Sequence, residues 1–429
     1  MVDAAVIGAG HNGLVAANVL ADAGWSVVVY EAEDEPGGSV RSGELIEPGF
    51  VHDRFSAFYP LGAASPVFRR LGLDIPWRHG PLVLAHPDGD GSCAVLSRRL
   101  EETTMGPNWQ ELMESWNRIE PSLLRGLVTP FPQIRAALGL ACEISAFPHL
   151  RPSRDGLAGR LLLGNTLHTD VPPHSPTGRA FGLLLTALGQ RYGFPCVEGG
   201  AGKITELLVG RARARGVELR LGEHLNELPR VGRAVLAAVD IWELERLTGR
   251  PARTQPDPAT VKVDWTLDGP VPWPVEAARR APVVHLGSER DFVLLGQYSM
   301  ADPSRAPEGK ETVWAYSHVL PDADAIEAQV EAHAPGFGAL VRGRRDEHLP
   351  PGRINLGTAR LRNELVLRGH WGRPETGIPR VYLASASAHP GGAVHGAPGW
   401  IAAQAALRAS SRRRARGLVS FTSSSRYTT

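Results

Sequence analysis

Ala4-Ala5-Val6-Ile7-Gly8-Ala9-Gly10-His11-Asn12-Gly13-Leu14, taken with Val27-Val28-Val29-Tyr30-Glu31 a little further on, decides the fold. Ala4–Ile7 is a short apolar run, of a length suited to a buried strand, and it stops at glycines spaced Gly-x-Gly-x-x-Gly. A helical stretch follows to Ala23, Gly24 breaks it, and a second apolar run ends on Glu31. Strand, glycine turn, helix, strand, acid is the context in which a dinucleotide fingerprint carries weight. Gly8 permits the tight turn, Gly10 lets bare backbone approach a pyrophosphate, and Gly13 lets helix and strand pack closely. The peptide N–H groups around His11 and Asn12, with the positive end of the helix dipole, then face the phosphates. Glu31 lies 18 residues beyond Gly13, near the offset of about 20 at which an acid takes a ribose hydroxyl pair. An acid there repels a 2′-phosphate, so FAD or NAD is favoured over NADP.

Two further glycine blocks choose between those nucleotides. Glu31 runs into Glu35-Pro36-Gly37-Gly38-Ser39-Val40-Arg41, and a glycine pair just past the ribose acid suits a backbone lying against FAD. Near the far end the strand Val381–Ser385 leads into His389-Pro390-Gly391-Gly392-Ala393-Val394-His395-Gly396-Ala397-Pro398-Gly399, and then into an Ala-rich helix. This repeats the strand–turn–helix logic and brings a second helix N-terminus toward the cofactor. Gly37, Gly38, Gly391, Gly392, Val394 and His395 therefore join Gly8, Gly10, His11, Asn12, Gly13 and Glu31 as candidate cofactor-binding residues. His389 and His395 flank the turn and are weak candidates for a proton shuttle; the plainer alternative is that they hydrogen-bond the turn backbone. No other residue is a catalytic candidate.

On Gly8–Leu14, Glu31 with Pro36–Gly38, Gly193-Phe194-Pro195, Glu198-Gly199-Gly200-Ala201-Gly202 and His389–Gly399, the chain resembles the phytoene desaturase-related branch of the FAD-dependent amine oxidase superfamily. The resemblance spans roughly residues 3 to 408. It implies an α/β architecture: a discontinuous Rossmann-type FAD-binding domain of residues 1–86, 195–255 and 366–408. Inserted into it is an α+β substrate domain of residues 87–194 and 256–365. One departure stands out. Relatives place a β-meander after the strand Val217–Leu221, and part of it lies against the adenine; here Gly222–Pro229 passes almost directly to Arg233–Asp240. The adenine end is thus either more open or more weakly held.

The rest of the sequence bounds the answer. Leu112, Trp116, Ile119, Leu123 and Leu127 recur at helical spacing within a stretch, about Pro87 to Gln190, that reads as helical, with Pro121 starting a new helix. Val261, Val263, Trp265 and Leu267 alternate with Lys262, Asp264 and Thr266 as in a strand. Forty-six basic residues balance 45 acidic ones, net charge +1, with no basic stripe and hence no nucleic-acid partner. No apolar run reaches the roughly 18 residues of a membrane span, which leaves only peripheral membrane contact and implies a cytoplasmic protein. Cys93, Cys142 and Cys196 form no Cys-x-x-Cys pair and read as free thiols. Residues 409–429, rich in Arg, Ser and Thr, read as a disordered tail. No metal-ligand pattern appears. The expectation is an FAD-dependent oxidoreductase of the desaturase, dehydrogenase or isomerase type, acting on a small apolar or extended substrate. The alternative is a flavin fold that binds FAD weakly or not at all and serves as a binding protein.

Overall fold

The computed structural model describes residues 1–129, 151–251, 255–352, 356 and 373–424, apart from Ser56 and Pro107, with side chains to Arg413. Its first sheet has five parallel strands in the order Val381–Leu383, Ala234–Ala237, Ala4–Ile7, Val27–Tyr30, Glu218–Arg220. Ala4 pairs with Val27 on one side and with Ala234 on the other. These strands read as unbroken apolar runs because both faces are covered. Helices His11–Asp22, Gly202–Ala214 and the one beginning at Ala397 lie against them. Asn18, fully buried, is satisfied by donating from Nδ2 to Leu14 O and Leu208 O, which ties the first two helices together.

The second sheet has seven strands in the order Val341–Leu349, Thr260–Leu267, Glu311–Ser317, Val293–Gln297, Val283–Leu286, Leu84–Pro87, Cys93–Leu96. All neighbours are antiparallel except Val283–Leu286 against Leu84–Pro87. Val263, Trp265, Val313 and Ala315 bury one face against Ile326, Val330 and Phe337. The other face is covered by helices Asn108–Leu127, Leu157–Leu167 and Pro176–Tyr192 through Trp109, Trp116, Leu161, Leu162 and Leu183. Among the described residues no helix is long and apolar enough to cross a membrane.

Several local readings need correction. The stretch from Pro87 is not helical throughout: Cys93–Leu96 is a strand, turned back on Leu84–Pro87 at Asp88-Gly89-Asp90-Gly91. A four-residue apolar run cannot be assigned by periodicity, and the Asp-Gly pairs were the usable signal. The boundary expected after residue 86 consequently falls inside a strand. Pro121 lies within helix Asn108–Leu127 rather than opening a new one. It sits on the exposed side, while the buried Trp109, Leu112, Met113 and Trp116 carry the helix past it. Lys262 and Asp264 of the strand Thr260–Leu267 form a buried pair, with Nζ 2.5 Å from the carboxylate. The C-terminal helix runs from Ala397 to Ser424, so the tail is helical that far, in keeping with its Ala and Arg content. Residues 425–429, Cys142, the segment 366–372 and most of 353–365 lie outside the described residues. The connection from Arg220 to Ala234 contains no strand, and it is held by Gly222 N donating to Glu33 O and Glu223 N to Glu31 O.

The two sheets are joined through one buried ion cluster. Arg305 and Asp53 are both fully buried and 3.0 Å apart, and Asp302 lies 3.1 Å from the same guanidinium. Asp53 Oδ1 also accepts from Ser42 Oγ at 2.6 Å and from Ala201 N at 2.8 Å. Arg305 stacks over Tyr298 and donates to Val197 O. Removing one partner leaves a buried uncompensated charge, at a cost of about 3–5 kcal/mol. Asp53→Ala should therefore lower stability by that amount in urea unfolding followed by circular dichroism; a loss below about 1 kcal/mol would show that the cluster is dispensable.

Candidate cofactor site

The fingerprint turn is built by contacts that exclude side chains. Gly8 has φ +97°, and a Cβ there would lie 2.8 Å from Ala238 O. At Gly13 a Cβ would lie 2.1 Å from Gly8 O, so only glycine lets the helix start this close to the strand. Gly10 is the opposite case: a Cβ there meets nothing within 4 Å. Gly10 is the N-cap of helix His11–Asp22 and offers no side-chain cap, leaving the first-turn N–H groups open to an anion. In the first turn of the same helix, His11 Nε2 and Asn12 Oδ1 are buried without a hydrogen-bond partner.

Glu31 and the Gly37–Gly38 pair converge on the same turn. Glu31 Oε2 accepts from Ala9 N at 2.7 Å, and Oε1 accepts from Glu33 N at 3.1 Å. The acid thus pins the glycine turn as well as standing at the strand end where a ribose is expected. Gly37 N donates to Ala9 O at 2.9 Å, and a Cβ on Gly38 would come 3.2 Å from Gly10 Cα. Arg41 braces the pair by donating from Nε to Gly38 O, and Thr205 Oγ1 donates to Val40 O at 2.6 Å. Sequence reasoning misses both supports, since an Arg or Thr after a glycine pair carries no pattern of its own. The Glu198–Gly202 stretch, noted only as a family mark, brings Gly200 against Ser42: a Cβ there would lie 2.5 Å from Ser42 Oγ.

The third block arrives from the other side of the sheet. A Cβ on Gly399 would lie 1.9 Å from Asn12 O, so the C-terminal helix rides directly on the first turn of helix His11–Asp22. Gly396 is likewise a packing glycine, facing Val15, Val67 and Phe68. Val394 is buried, and its carbonyl abuts Gly62. His395 donates from Nε2 to Gly392 O at 3.0 Å and accepts from Ala397 N at Nδ1 at 3.1 Å, while Ser65 Oγ donates to its carbonyl. Both ring nitrogens are committed to the turn, which leaves none to exchange a proton. His389 Nε2 donates to Gly126 O at 3.1 Å and so ties the turn beginning at Pro390 and Gly391 to helix Asn108–Leu127. Burial pushes His395 down to about 4 and His11 down to about 3, so both are neutral at pH 7. The two described thiols are poor nucleophiles: burial pushes Cys93 up to about 11 and Cys196 up to about 12.

An open position over Gly10 and an uncapped helix N-terminus fit a pyrophosphate-bearing nucleotide. A family model described as FAD dependent oxidoreductase matches residues 3–143, which contain the fingerprint, Glu31 and the glycine pair. That description names FAD as the family's cofactor, and the solved structures below share the fold. The chain is 24% identical over 561 aligned residues to mouse pyridine nucleotide-disulfide oxidoreductase domain-containing protein 2, covering 95% of this chain and 93% of that one. It is 32% identical over 119 residues to a limonene dehydrogenase component of Castellaniella defragrans, covering 28% and 20%. Among solved structures, an oxidoreductase from Methanosarcina mazei matches with TM-score 0.61 at 13% identity, over 95% of this chain and all of that one. A redesigned putrescine oxidase matches with TM-score 0.61 at 15% identity, over 95% and 98%.

Three outcomes follow from this geometry. A Cβ at Gly10 meets no protein atom, so Gly10→Val should fold normally yet lose flavin; native circular dichroism with stoichiometric flavin absorbance would contradict the assignment. Glu31→Ala should weaken FAD by about 1–3 kcal/mol, the scale of a charge-assisted hydrogen bond, as read by flavin titration of the apoprotein. Stability should fall as pH drops from about 6.5 toward 4, because the unfolded chain protonates His11, His395 and the similarly lowered His79, His86, His168 and His285 while the native state resists. The slope is about 1.4 kcal/mol per pH unit for each buried group, measurable as urea midpoints at pH 7.5 and 5.0; a flat profile would mean these rings are accessible.

Proposed function

We propose that the chain is an FAD-dependent dehydrogenase or desaturase of an apolar, extended substrate, held by the second sheet beside the glycine turns. The observation that carries this reading is an aromatic ladder on the sheet face away from helix Ala323–His333, lying between that face and the helices Asn108–Leu127, Leu157–Leu167 and Pro176–Tyr192 that cover it. Phe58 stacks on Tyr298 at 5.8 Å and on Trp314 at 6.3 Å, and Trp314 stacks on Tyr316 at 5.9 Å and 10°. Phe58 lies four residues before Gly62, the position that abuts Val394 of the third glycine block. The ladder therefore begins next to the proposed flavin turn and continues along the strand Glu311–Ser317. Flat aromatic faces bind chains and rings by area and stacking.

FAD, when bound, supplies a hydride acceptor at N5 for a C–H bond undergoing oxidation. The protein's own share is to hold the turns, align the substrate and keep water out. Residues 1–86, 195–255 and 366–408 form the FAD-binding part in this reading, with Gly391, Gly392, Val394 and His395 closing over the cofactor. The phytoene desaturase-related branch and a cytoplasmic setting belong to the same proposal. The limonene dehydrogenase relative, named for an apolar terpene, favours a hydrocarbon-like substrate; the putrescine oxidase neighbour represents the amine alternative.

Anaerobic bleaching of the flavin by polyenes or terpenes, and not by diamines, is the expected result; the reverse preference would overturn it. Trp314→Ala should retain flavin and lower kcat/KM for the bleaching substrate at least tenfold. A protein purified without flavin and unable to take it up would favour the non-catalytic alternative.

A further inference from the structure

A pocket of about 400 Å³ opens on the surface between helices Pro66–Arg70, Asn108–Leu127 and Pro176–Tyr192. Arg69, Arg70, Arg125 and Arg191 line it, four guanidinium groups against the single carboxylate of Glu120. Glu120 is 5% exposed and already engaged, accepting from the Tyr192 hydroxyl with Arg191 Nε 3.7 Å away. Arg70 stacks over Trp400 at 5.1 Å. Among the described residues, Arg69 and Arg125 have neither an ion pair nor a hydrogen-bonded acceptor for their guanidinium groups. Four arginines around one pocket are unexpected in a chain of net charge +1, where most charged groups are balanced locally. Leu124 and Val128 give the same pocket an apolar wall.

We propose that this pocket binds a phosphate or diphosphate group carried on an apolar chain. A planar guanidinium fork grips phosphate oxygens in pairs, and the uncompensated positive charge matches a diphosphate better than a lone carboxylate. The apolar wall takes the first carbons of the esterified chain. The pocket is separate from the fingerprint turn, and it touches the third glycine block twice: through Arg70 on Trp400, and through Gly126, the neighbour of Arg125, whose carbonyl accepts from His389. The inference goes beyond the proposed reaction and does not need its substrate to be correct.

Isothermal titration of the flavin-loaded protein with inorganic pyrophosphate at low salt tests the soluble source. Flotation with phosphatidylcholine vesicles, with and without phosphatidic acid, tests a lipid headgroup. Saturable pyrophosphate binding, or phosphatidic acid-dependent flotation, should weaken at least tenfold in the Arg69→Gln/Arg125→Gln variant, with flavin content and circular dichroism unchanged. Arg213→Gln/Arg290→Gln, which removes the same charge from exposed arginines elsewhere, should leave binding intact. Absence of binding in both arms, or equal loss in the two double variants, overturns the proposal. A failure of polyene turnover alone touches only the reaction proposed above.

Discussion

The architecture around the cofactor depends on a run of backbone-to-backbone contacts that no side chain could share. Gly8 O faces Gly13, Asn12 O faces Gly399, and Gly10 faces Gly38, so the first strand, two helices and the glycine pair meet within van der Waals distance of one another. A methyl group at Gly13 or Gly399 would sit about 2 Å from a carbonyl oxygen, far inside any tolerable contact. Because those positions are closed, the one open glycine acquires meaning. Gly10 lacks a side chain although nothing in the protein occupies its Cβ position, and the helix behind it starts without a cap. The polypeptide has spent its glycines to bring peptide dipoles to a single point and left that point free.

The second constraint is electrostatic. Arg305 is fully buried with two carboxylates, on an aromatic ring, and donates to a backbone carbonyl. Such a cluster tolerates little change in geometry, since each loss leaves a charge in a low-dielectric surrounding. Through Asp53 it fixes Ser42 and the N-terminus of helix Gly202–Ala214; through Tyr298 it reaches the aromatic ladder. The register between the glycine turns and the second sheet is therefore set by charge pairing rather than by apolar area alone.

Legibility in the sequence follows from how local each signal is. Gly8, Gly10, Gly13 and Glu31 could be read because their roles depend on neighbours within about thirty residues and on one recurrent strand–turn–helix pattern. The strand Cys93–Leu96 could not, because four apolar residues fit helix and strand alike. Asp53, Asp302 and Arg305 carried no signal, since their meaning lies in contacts between segments about 250 residues apart. Pro121 misled because an exposed proline can be carried by a strongly apolar opposite face.

His395 shows how a residue type suited to chemistry can be bound to architecture instead. Its position beside the third glycine block invites a role in proton transfer, yet each ring nitrogen already has a backbone partner two or three residues away. A histidine in that arrangement closes the turn in the neutral form that burial enforces, and protonation would break the bond from Ala397 N, because Nδ1 could no longer accept it. His11, neutral for the same reason, is buried in the first turn of the same helix with Nε2 unpaired. The first helix turn thus offers an anion peptide dipoles rather than a cation. In the proposed reading the anion is held by the orientation of those dipoles, which the close-packed glycines fix.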